Sequence, residues 1–412
     1  MSTIVIAPSN VVTFPEGGGH FWVYMQYVQG FLRQGCDVYW LEQFVTSGDP
    51  ARDDYMLGQF AERMEHFGLK GKSILYSIAG DNPDSNPEVT YVGIAQPAAE
   101  AVFRSADLLL NFYYAMHPVM LGQFRRTALV DIDPGLLQFW ISTNQITVAP
   151  HDYYCTTGET VGTPTALFPD CGYSWIKIRP PVSLESWPYH YDADARSFTT
   201  ISGWWGGDGK GEFITDGNNL IYENNKRVTF LQYVDLPQLT SQPFELALNL
   251  GEGDEDEGAH LNGTTVTRID GITDYVSDAV DRRKLLDHGW RISNPYAVAD
   301  SPYAYQSYIQ SSRGEFSCVK PSCLRFQNAW ISDRTICYLA SGKPVVVQDT
   351  GPSAFLPNGE GMFRFSTMDE AVDAFATLNA NYEKHARAAR EIAVAYFDSK
   401  DVAATILRGC QL

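Results

Sequence analysis

Two side chains in the first third of the chain are candidates for proton transfer. His20 follows the glycine-rich segment EGGG, residues 16–19, and an imidazole can remove a proton from a substrate hydroxyl at neutral pH. It can equally cap the following helix or bond to the loop. Asp133, in LVDIDPG at 129–135, ends an apolar run, and its carboxylate can act as the base, orient His20 or bond to the next turn. The glycine-rich segment before His20 offers Glu16 as a third candidate base. Its Gly18 and Gly19 are candidate contacts for the acceptor.

A second set of polar residues lies between 311 and 351. The sequence SDRT, residues 332–335, begins a predicted helix over 330–341 that Gly342 ends. Hydroxyls, N–H groups and a guanidinium at a helix start favour an anion such as a diphosphate, although they also suit an ordinary N-cap with a solvated Arg334. The candidates in this stretch are Glu315, Lys320, Ser332, Asp333, Arg334, Thr335, Asp349, Thr350 and Gly351.

Short apolar runs and helical patterns alternate around these residues. Strand-like runs include 3–7, 37–41, 106–111, 128–132 and 152–156, and apolar residues recur at helical spacing over 21–33. Prolines and a polar stretch between 180 and 196 precede a new strand at 198–202, which places a domain boundary in that region. Further along the chain, residues 344–348 are typical of a buried strand, and residues 369–378 and 382–396 are typical of helices. The pattern predicts two Rossmann-like α/β domains whose strand ends meet at one cleft.

Composition and the absence of several motifs narrow the possible functions. The 412 residues carry 30 Lys+Arg and 49 Asp+Glu, and the net charge of −19 disfavours a broad nucleic-acid or membrane surface. Seven widely spaced cysteines without a paired CxxC pattern, no basic leader and no run of about 18 apolar residues predict a cytoplasmic protein without a membrane span. The common phosphate-loop, dinucleotide, zinc-protease and serine-hydrolase motifs are absent. The lone Asp131-Ile132-Asp133 arises easily by chance, so we expect no metal site.

The stretch SSRGEFSCVKPSCLRFQNAWISDRTICYLASGKPVVVQDTG, residues 311–351, resembles the donor half of the GT-B nucleotide-sugar glycosyltransferases. In that family an acidic residue after a strand precedes a phosphate-facing helix, an A-x-G-x-P-V-V strand and a glycine turn. The loop with His20 is similar to the family's N-terminal acceptor half. Many retaining members carry a Glu-x7-Glu pair whose second position here is near Cys337, which indicates a divergent branch.

The resemblance implies a GT-B architecture, in which two Rossmann-like domains face each other across a cleft. Residues 1–185 would bind the acceptor, residues 195–395 would bind the donor, and residues 396–412 would form a C-terminal helix or tail. Glu315 would lie near the ribose or sugar hydroxyls of the donor, and Lys320 would meet its phosphates together with the start of the 330–341 helix. The segment at 349–351 would point backbone amides and the Asp349 carboxylate toward the donor.

Three features between 200 and 260 have open roles. Trp204 and Trp205 can stack on a base or sugar, or pack in the core. Lys210 can contact a phosphate, although nearby acidic residues dilute its charge. The acidic run EGDEDEG, residues 252–258, is expected to be a solvated loop without chemistry.

The leading hypothesis is a hexosyl- or pentosyltransferase that uses a nucleoside diphosphate sugar as co-substrate. We expect it to invert the configuration of the sugar and to need neither a metal nor a cofactor. His20 or Asp133 would be the base. A small molecule or glycan is favoured over nucleic acid as acceptor because of the negative charge. The alternatives are a sugar-nucleotide epimerase or hydrolase of the same fold, a DNA-base glycosyltransferase, and a non-catalytic nucleotide-sugar-binding protein. The donor base, the sugar, the acceptor and the oligomeric state stay open.

Overall fold

The computed structural model describes residues 2–79, 87–206, 211–215, 221–250 and 278–412. The chain divides into two compact units, which we call unit 1 (Met1–Ser186 with Tyr396–Leu412) and unit 2 (Trp187–Ala395). The C-terminal residues, expected as a separate helix or tail, are thus part of unit 1. Lys210 and the acidic run at 252–258 lie outside the described residues.

Unit 1 is built on one sheet with the strand order β4-β3-β2-β1-β5-β6-β7-β8 in the described part of the chain. Neighbouring strands run parallel, except that β4 is antiparallel to β3. The elements are β1 (Thr3–Ala7), α1 (Gly18–Arg33), β2 (Asp37–Gln43), α2 (Pro50–His66), β3 (Ser73–Ile78), β4 (Val89–Val92), α3 (Gln96–Ser105), β5 (Leu108–Asn111), α4 (Pro118–Leu121), β6 (Thr127–Asp131), α5 (Leu136–Ser142), β7 (Tyr153–Thr156), β8 (Trp175–Lys177) and, from the C-terminus, α15 (Ser399–Gly409).

The central strands of unit 1 are buried on both faces, as their continuous apolar runs predict. β1 (TIVIA) and β5 (LLLN) lie side by side, and almost all of their residues are buried. Helix α1 begins at Gly18, three residues earlier than its apolar pattern predicts, because the glycines that were expected in the loop form its first turn. His20 is therefore a residue of the first helical turn.

Unit 2 contains a parallel sheet with the order β13-β12-β9-β14-β15-β16 and a small antiparallel hairpin, β10–β11. The described elements are β9 (Phe198–Ser202), β10 (Phe213–Thr215), β11 (Ile221–Glu223), α6 (Lys226–Phe230), a 3-10 turn (Leu231–Tyr233), α7 (Leu236–Leu239), β12 (Phe244–Leu248), α8 (Asp278–Asp287), β13 (Arg291–Ser293), α9 (Pro295–Val298), α10 (Pro302–Ser311), β14 (Gly314–Ser317), α11 (Pro321–Phe326), α12 (Asp333–Ala340), β15 (Val345–Gln348), β16 (Met362–Phe365), α13 (Met368–Ala380) and α14 (Tyr382–Tyr396).

The strand order of unit 2 places its switch point at β9. The chain adds β12 and β13 on one side of β9 and then β14, β15 and β16 on the other. In open parallel sheets, ligands bind beyond the carboxyl ends of the strands at such a point. An aromatic core that includes Phe198, Phe244, Phe316 and Phe375 supports the sheet on one face.

Helix α15 docks on α1 through a close backbone contact in unit 1. A Cβ built on Gly30 would lie 2.2 Å from the carbonyl oxygen of Ser399, so this position in α1 tolerates only glycine without movement. An ion pair between Arg33 and Asp398 (2.6 Å) lies next to the contact. The C-terminal helix is thereby fixed to the first one.

We predict that Gly30→Ala lowers the stability of unit 1 by about 1–3 kcal/mol, because the added methyl group meets backbone that cannot move aside. The measurement is the thermal unfolding midpoint. Gly58→Ala in α2 is the matched control, since a Cβ there meets nothing within 4 Å and alanine favours a helix. An unchanged midpoint for Gly30→Ala would contradict the close packing.

Candidate active site

Helix α12 begins beside the carboxyl end of β14, and its first turn carries four of the predicted donor residues. Ser332 is the N-cap, and its hydroxyl accepts a hydrogen bond from the Arg334 N–H (3.3 Å). Asp333 is the first helical residue and is half-buried. Ser332 therefore caps α12, which is one of the two roles that the sequence allowed for this segment.

The Arg334 side chain turns inward onto the sheet rather than outward into solvent. Its Nε donates to Glu315 Oε1 (2.7 Å), Nη1 to the carbonyl of Ile201 (2.7 Å) and Nη2 to Ser317 Oγ (2.6 Å). The guanidinium thus joins the start of α12 to β14 and β9. Although burial opposes its charge, Glu315 holds the pKa of Arg334 above its ordinary value.

Glu315 lies beneath the site instead of at its surface. Its side chain is 0% exposed, and one carboxylate oxygen is taken up by Arg334 while Oε2 has no partner among the described residues. The expected contact with a ribose or sugar hydroxyl does not fit this burial. The side chain instead fixes Arg334, and through Arg334 it fixes the first turn of α12.

A cavity that opens to solvent lies at the carboxyl ends of β14 and β15, next to the first turn of α12. Four of the predicted donor residues line it, namely Ser332, Arg334, Thr335 and Thr350. The sequence did not single out the other lining residues, which are Lys226, Ser317, Cys318, Val319, Trp330, Ile331, Val347, Gln348, Leu356, Met362 and Arg364. Cations and hydroxyls on an apolar floor suit a ligand with an anionic group.

Lys226 is one of the cationic residues of this cavity that sequence reasoning missed. It is half-buried at the start of α6, and no hydrogen bond or ion pair holds its ammonium group within the described residues. Burial, with the positive charges of Arg334 and Lys320, lowers the pKa of Lys226 to about 7. An anion placed beside it would relieve that cost. The available sequence signal was only a lysine at a helix start in the polar run Asn224-Asn225-Lys226.

The segments on both sides of Lys226 are held firmly. Asn225 accepts from the N–H groups of Gly206 (2.8 Å) and Glu212 (2.9 Å), and Asn224 accepts from the N–H of Ser322 (2.8 Å). On the other side, Arg227 forms a buried pair with Asp281 (2.7 Å). The backbone that carries Lys226 is therefore fixed at the edge of the cavity.

The turn after β15 is built by internal contacts. The Asp349 carboxylate accepts from Arg364 Nη2 (2.6 Å) and from the N–H of Gly351 (2.8 Å). Gly351 has a φ of 118° and would place a Cβ 2.8 Å from Gln327, so glycine is required. Thr350 donates to the Trp330 carbonyl (2.7 Å). Asp349 therefore holds Arg364 at the cavity instead of offering a free carboxylate.

Two further donor candidates have partners of their own in unit 2. Lys320 does not line the described cavity, and its ammonium group pairs with Glu212. Trp204 is 1% exposed in the aromatic core, and its Nε1 donates to Asp281 (2.8 Å). It therefore packs in the core, which is the second of the two roles considered from the sequence. Trp205 is half-buried, and the Arg227 guanidinium lies over its ring at 4.9 Å.

In unit 1, His20 is half-buried in the first turn of α1. Its Nε2 donates to the carbonyl oxygen of Ser9 (2.7 Å), and its ring packs edge-on against Tyr24. Because a carbonyl can only accept, the lone pair of the neutral ring belongs to Nδ1. Nδ1 is therefore the atom that can take a proton.

The other loop candidates have structural contacts. Glu16 forms a two-pronged ion pair with Arg52 (2.6 and 2.8 Å), and this bond lowers the pKa of Glu16, which makes it a weaker base. Gly18 and Gly19 are the first two residues of α1.

Asp133 is exposed in the turn after β6. Its neighbour Asp131 is buried and accepts from Gln138 (2.8 Å), Thr156 (2.7 Å) and the N–H of Asp133 (3.0 Å). Burial raises the pKa of Asp131 to about 7. His20 and Asp133 follow the carboxyl ends of β1 and β6, which β5 separates, so the two strands are roughly 10 Å apart.

The described residues contain neither a cluster of metal-binding side chains nor a membrane-spanning helix. No group of three or more His, Cys, Asp or Glu side chains gathers there in a way that could hold a metal ion. No helix in those residues combines the length and apolar character needed to cross a bilayer.

We predict that Glu315→Ala destabilises unit 2 by about 3 kcal/mol or more, because it leaves the Arg334 guanidinium buried without its counter-charge. Chemical denaturation measures the loss. The control is Glu360→Ala, which removes an exposed pair with Lys384 in the same unit and should cost less than about 1 kcal/mol. Equal losses of stability for the two variants would show that the buried pair does not stabilise unit 2 more than an exposed pair does.

No family model and no curated protein sequence matches the chain. Solved structures do match it over its full length. An alpha-glucosyltransferase (AGT) in complex with UDP has a TM-score of 0.57 at 10% identity, with 100% of both chains covered. HepE from Anabaena, in complex with UDP and glucose, has a TM-score of 0.56 at 9% identity, again with 100% of both chains covered.

A third similar structure is a TarM variant from S. aureus in complex with Fondaparinux, alpha-GlcNAc-glycerol and UDP, with a TM-score of 0.54, 9% identity and 100% coverage of both chains. At these identities the likeness shows the fold. The α/β class and the two parallel sheets predicted from the sequence are confirmed. The chain has the GT-B fold that these solved structures share.

Proposed function

We propose that the protein is a glycosyltransferase that moves a sugar from a nucleoside diphosphate sugar to an acceptor hydroxyl. The observation that carries the proposal is the cavity of unit 2, where Lys226 without a described partner and the hydroxyls of Ser332 and Thr335 surround an open space at the start of α12. A helix start and a half-buried lysine together favour an anion. Unit 2 would accordingly bind the donor and unit 1 the acceptor.

The chemistry of transfer gives each group a task. When the bond between C1 of the sugar and the diphosphate oxygen breaks, negative charge grows on the diphosphate, and Lys226 with the α12 start would stabilise it. The acceptor oxygen forms the new bond to C1 and gives its proton to Nδ1 of His20, or to Asp133. We propose inversion at C1 and no metal requirement, with the lysine and the helix start taking the role of a counter-charge.

The similar structures suggest which donor to test first. AGT, HepE and TarM were solved with UDP, and HepE also with UDP-glucose. We therefore propose a UDP-sugar as donor. AGT has also been solved with DNA, but the net charge of −19 favours a small molecule or glycan as acceptor of this chain.

The first test is the affinity for UDP-glucose and for UDP, GDP, TDP and ADP, measured by calorimetry. Lys226→Met should weaken the preferred nucleotide by about 10- to 100-fold, because a hydrogen bond to a charged group contributes about 1.5–3 kcal/mol. Lys384→Met, an exposed lysine of unit 2, is the control and should leave the affinity unchanged. If no nucleotide binds, or Lys226→Met binds as tightly as the parent, the donor-site proposal fails.

Donor binding should depend on pH through Lys226. With a pKa of about 7 in the free protein, this lysine is protonated below pH 7 and loses its proton as the pH rises. The anionic donor binds the protonated form, so its dissociation constant should be flat below pH 6.5 and increase up to tenfold per unit between pH 7.5 and 9. Calorimetry in buffers of different ionisation enthalpy should show proton uptake, and Lys226→Met should abolish it. A flat profile in the parent protein would exclude this coupling.

His20→Ala should lower the transfer rate by about 10²- to 10⁴-fold and leave donor affinity intact, because it removes the proposed base but no donor contact. Asp133→Asn is the paired variant, and the larger loss identifies the base. Turnover that survives in His20→Ala removes His20 from the mechanism. The anomeric configuration of the product, read by NMR, tests inversion.

Incubation with the donor alone separates the transferase from the alternatives. Epimerised or hydrolysed donor without an acceptor would indicate an epimerase or hydrolase, and binding without any product would indicate a non-catalytic binding protein. Transfer to modified DNA bases would support the DNA-base glycosyltransferase.

A further inference from the structure

The loop between β1 and α1, residues 8–17, is held by side chains from β2 and α2. Glu42, on β2, accepts from the N–H groups of Val11 (2.5 Å) and Val12 (2.9 Å) through Oε1, and from Trp40 Nε1 (2.8 Å) through Oε2. Arg63 donates to the carbonyl of Pro15 (2.7 Å) near the other end of the loop. The loop is thus anchored at both ends by buried groups.

The Glu42 anchor lies next to the residue that holds His20. Ser9, whose carbonyl accepts from His20 Nε2, is two residues before Val11. Between them Asn10 has a φ of 59°, a left-handed conformation that asparagine tolerates better than most residues. The turn at 9–12 therefore joins Glu42 to the imidazole through four consecutive residues.

At the position of Glu42, the anchor requires a side chain whose oxygens all accept hydrogen bonds. Glu42 is 1% exposed, and its two oxygens receive three N–H donors from three residues. An amide in its place would turn an NH2 group toward an N–H donor, either at the loop or at Trp40. Burying an ionisable carboxylate has a large free-energy cost, and here the hydrogen bonds that offset it come mainly from the loop.

We propose that Glu42 is a positioning residue for His20: by fixing the turn at 9–12, it holds the Ser9 carbonyl that orients the imidazole and keeps the proton on Nε2. The proposal rests on the proposed function only for its kinetic consequence. Glu42 itself does not contact the reacting atoms in this account; it acts through Ser9. The group being oriented is the base that removes a proton from the acceptor hydroxyl.

The test compares Glu42→Gln with Val38→Ala, a control that removes buried volume from the same strand but no hydrogen bond to the loop. Glu42→Gln should raise hydrogen exchange of the peptide spanning residues 8–20 at least tenfold and shift the ¹⁵N signals of the His20 ring away from the Nε2–H tautomer. Val38→Ala should do neither at a comparable loss of stability. In transfer assays, kcat should fall at least tenfold in Glu42→Gln with the donor KM within twofold of the parent.

Unchanged loop exchange and unchanged His20 signals in Glu42→Gln would overturn the proposal. If Glu42→Gln does not fold, Glu42→Asp has the same readouts, with partial loss expected because the shorter carboxylate cannot reach all three donors. The exchange and imidazole measurements need no turnover. A loosened loop and shifted imidazole, together with undiminished turnover in His20→Ala, would therefore support the anchor and reject only the catalytic role of His20.

Discussion

The buried ion pair between Arg334 and Glu315 is the interaction on which the candidate donor site depends. It joins the first turn of α12 to β14, and a third bond reaches the end of β9. An unpaired charge in that position would be costly, so α12 has one stable place on the sheet. That place brings the hydroxyls of Ser332 and Thr335 to the edge of the cavity that Lys226 also lines. The charge of Arg334 is largely neutralised by its partners within the fold, whereas no described partner neutralises the charge of Lys226, which can therefore pair with a ligand.

The same device recurs in unit 1. Glu42 on β2 and Asp131 on β6 are buried carboxylates close to the carboxyl ends of their strands, and Glu315 is a buried carboxylate within β14. Each accepts hydrogen bonds from a neighbouring loop or helix start, and burial raises the pKa of both Glu42 and Asp131 to about 7. In each case the acid fixes another segment of the chain. That segment carries, or lies next to, a residue proposed to meet the substrate.

The sequence predicts the elements better than the roles. Strands β1 and β9 and helix α14 begin and end where their patterns place them, because apolar runs and helical spacing report burial directly. Helix α2 escapes notice because only four of its seventeen residues are buried. Lys226 could not be found because its low pKa comes from burial and from Arg334 and Lys320, about a hundred residues away. Residue type likewise could not show that Asp349 and Lys320 have partners of their own, Arg364 and Glu212.

In the proposed donor site, a nucleotide diphosphate binds beside Lys226 at the start of α12. A crystal structure of the protein grown with UDP tests it most directly. We expect phosphate oxygens within about 3 Å of Lys226 Nζ and of the Ser332 or Thr335 hydroxyl, with the pair between Arg334 and Glu315 intact beneath them. UDP bound away from Lys226, or phosphates contacted only by other residues, would contradict it.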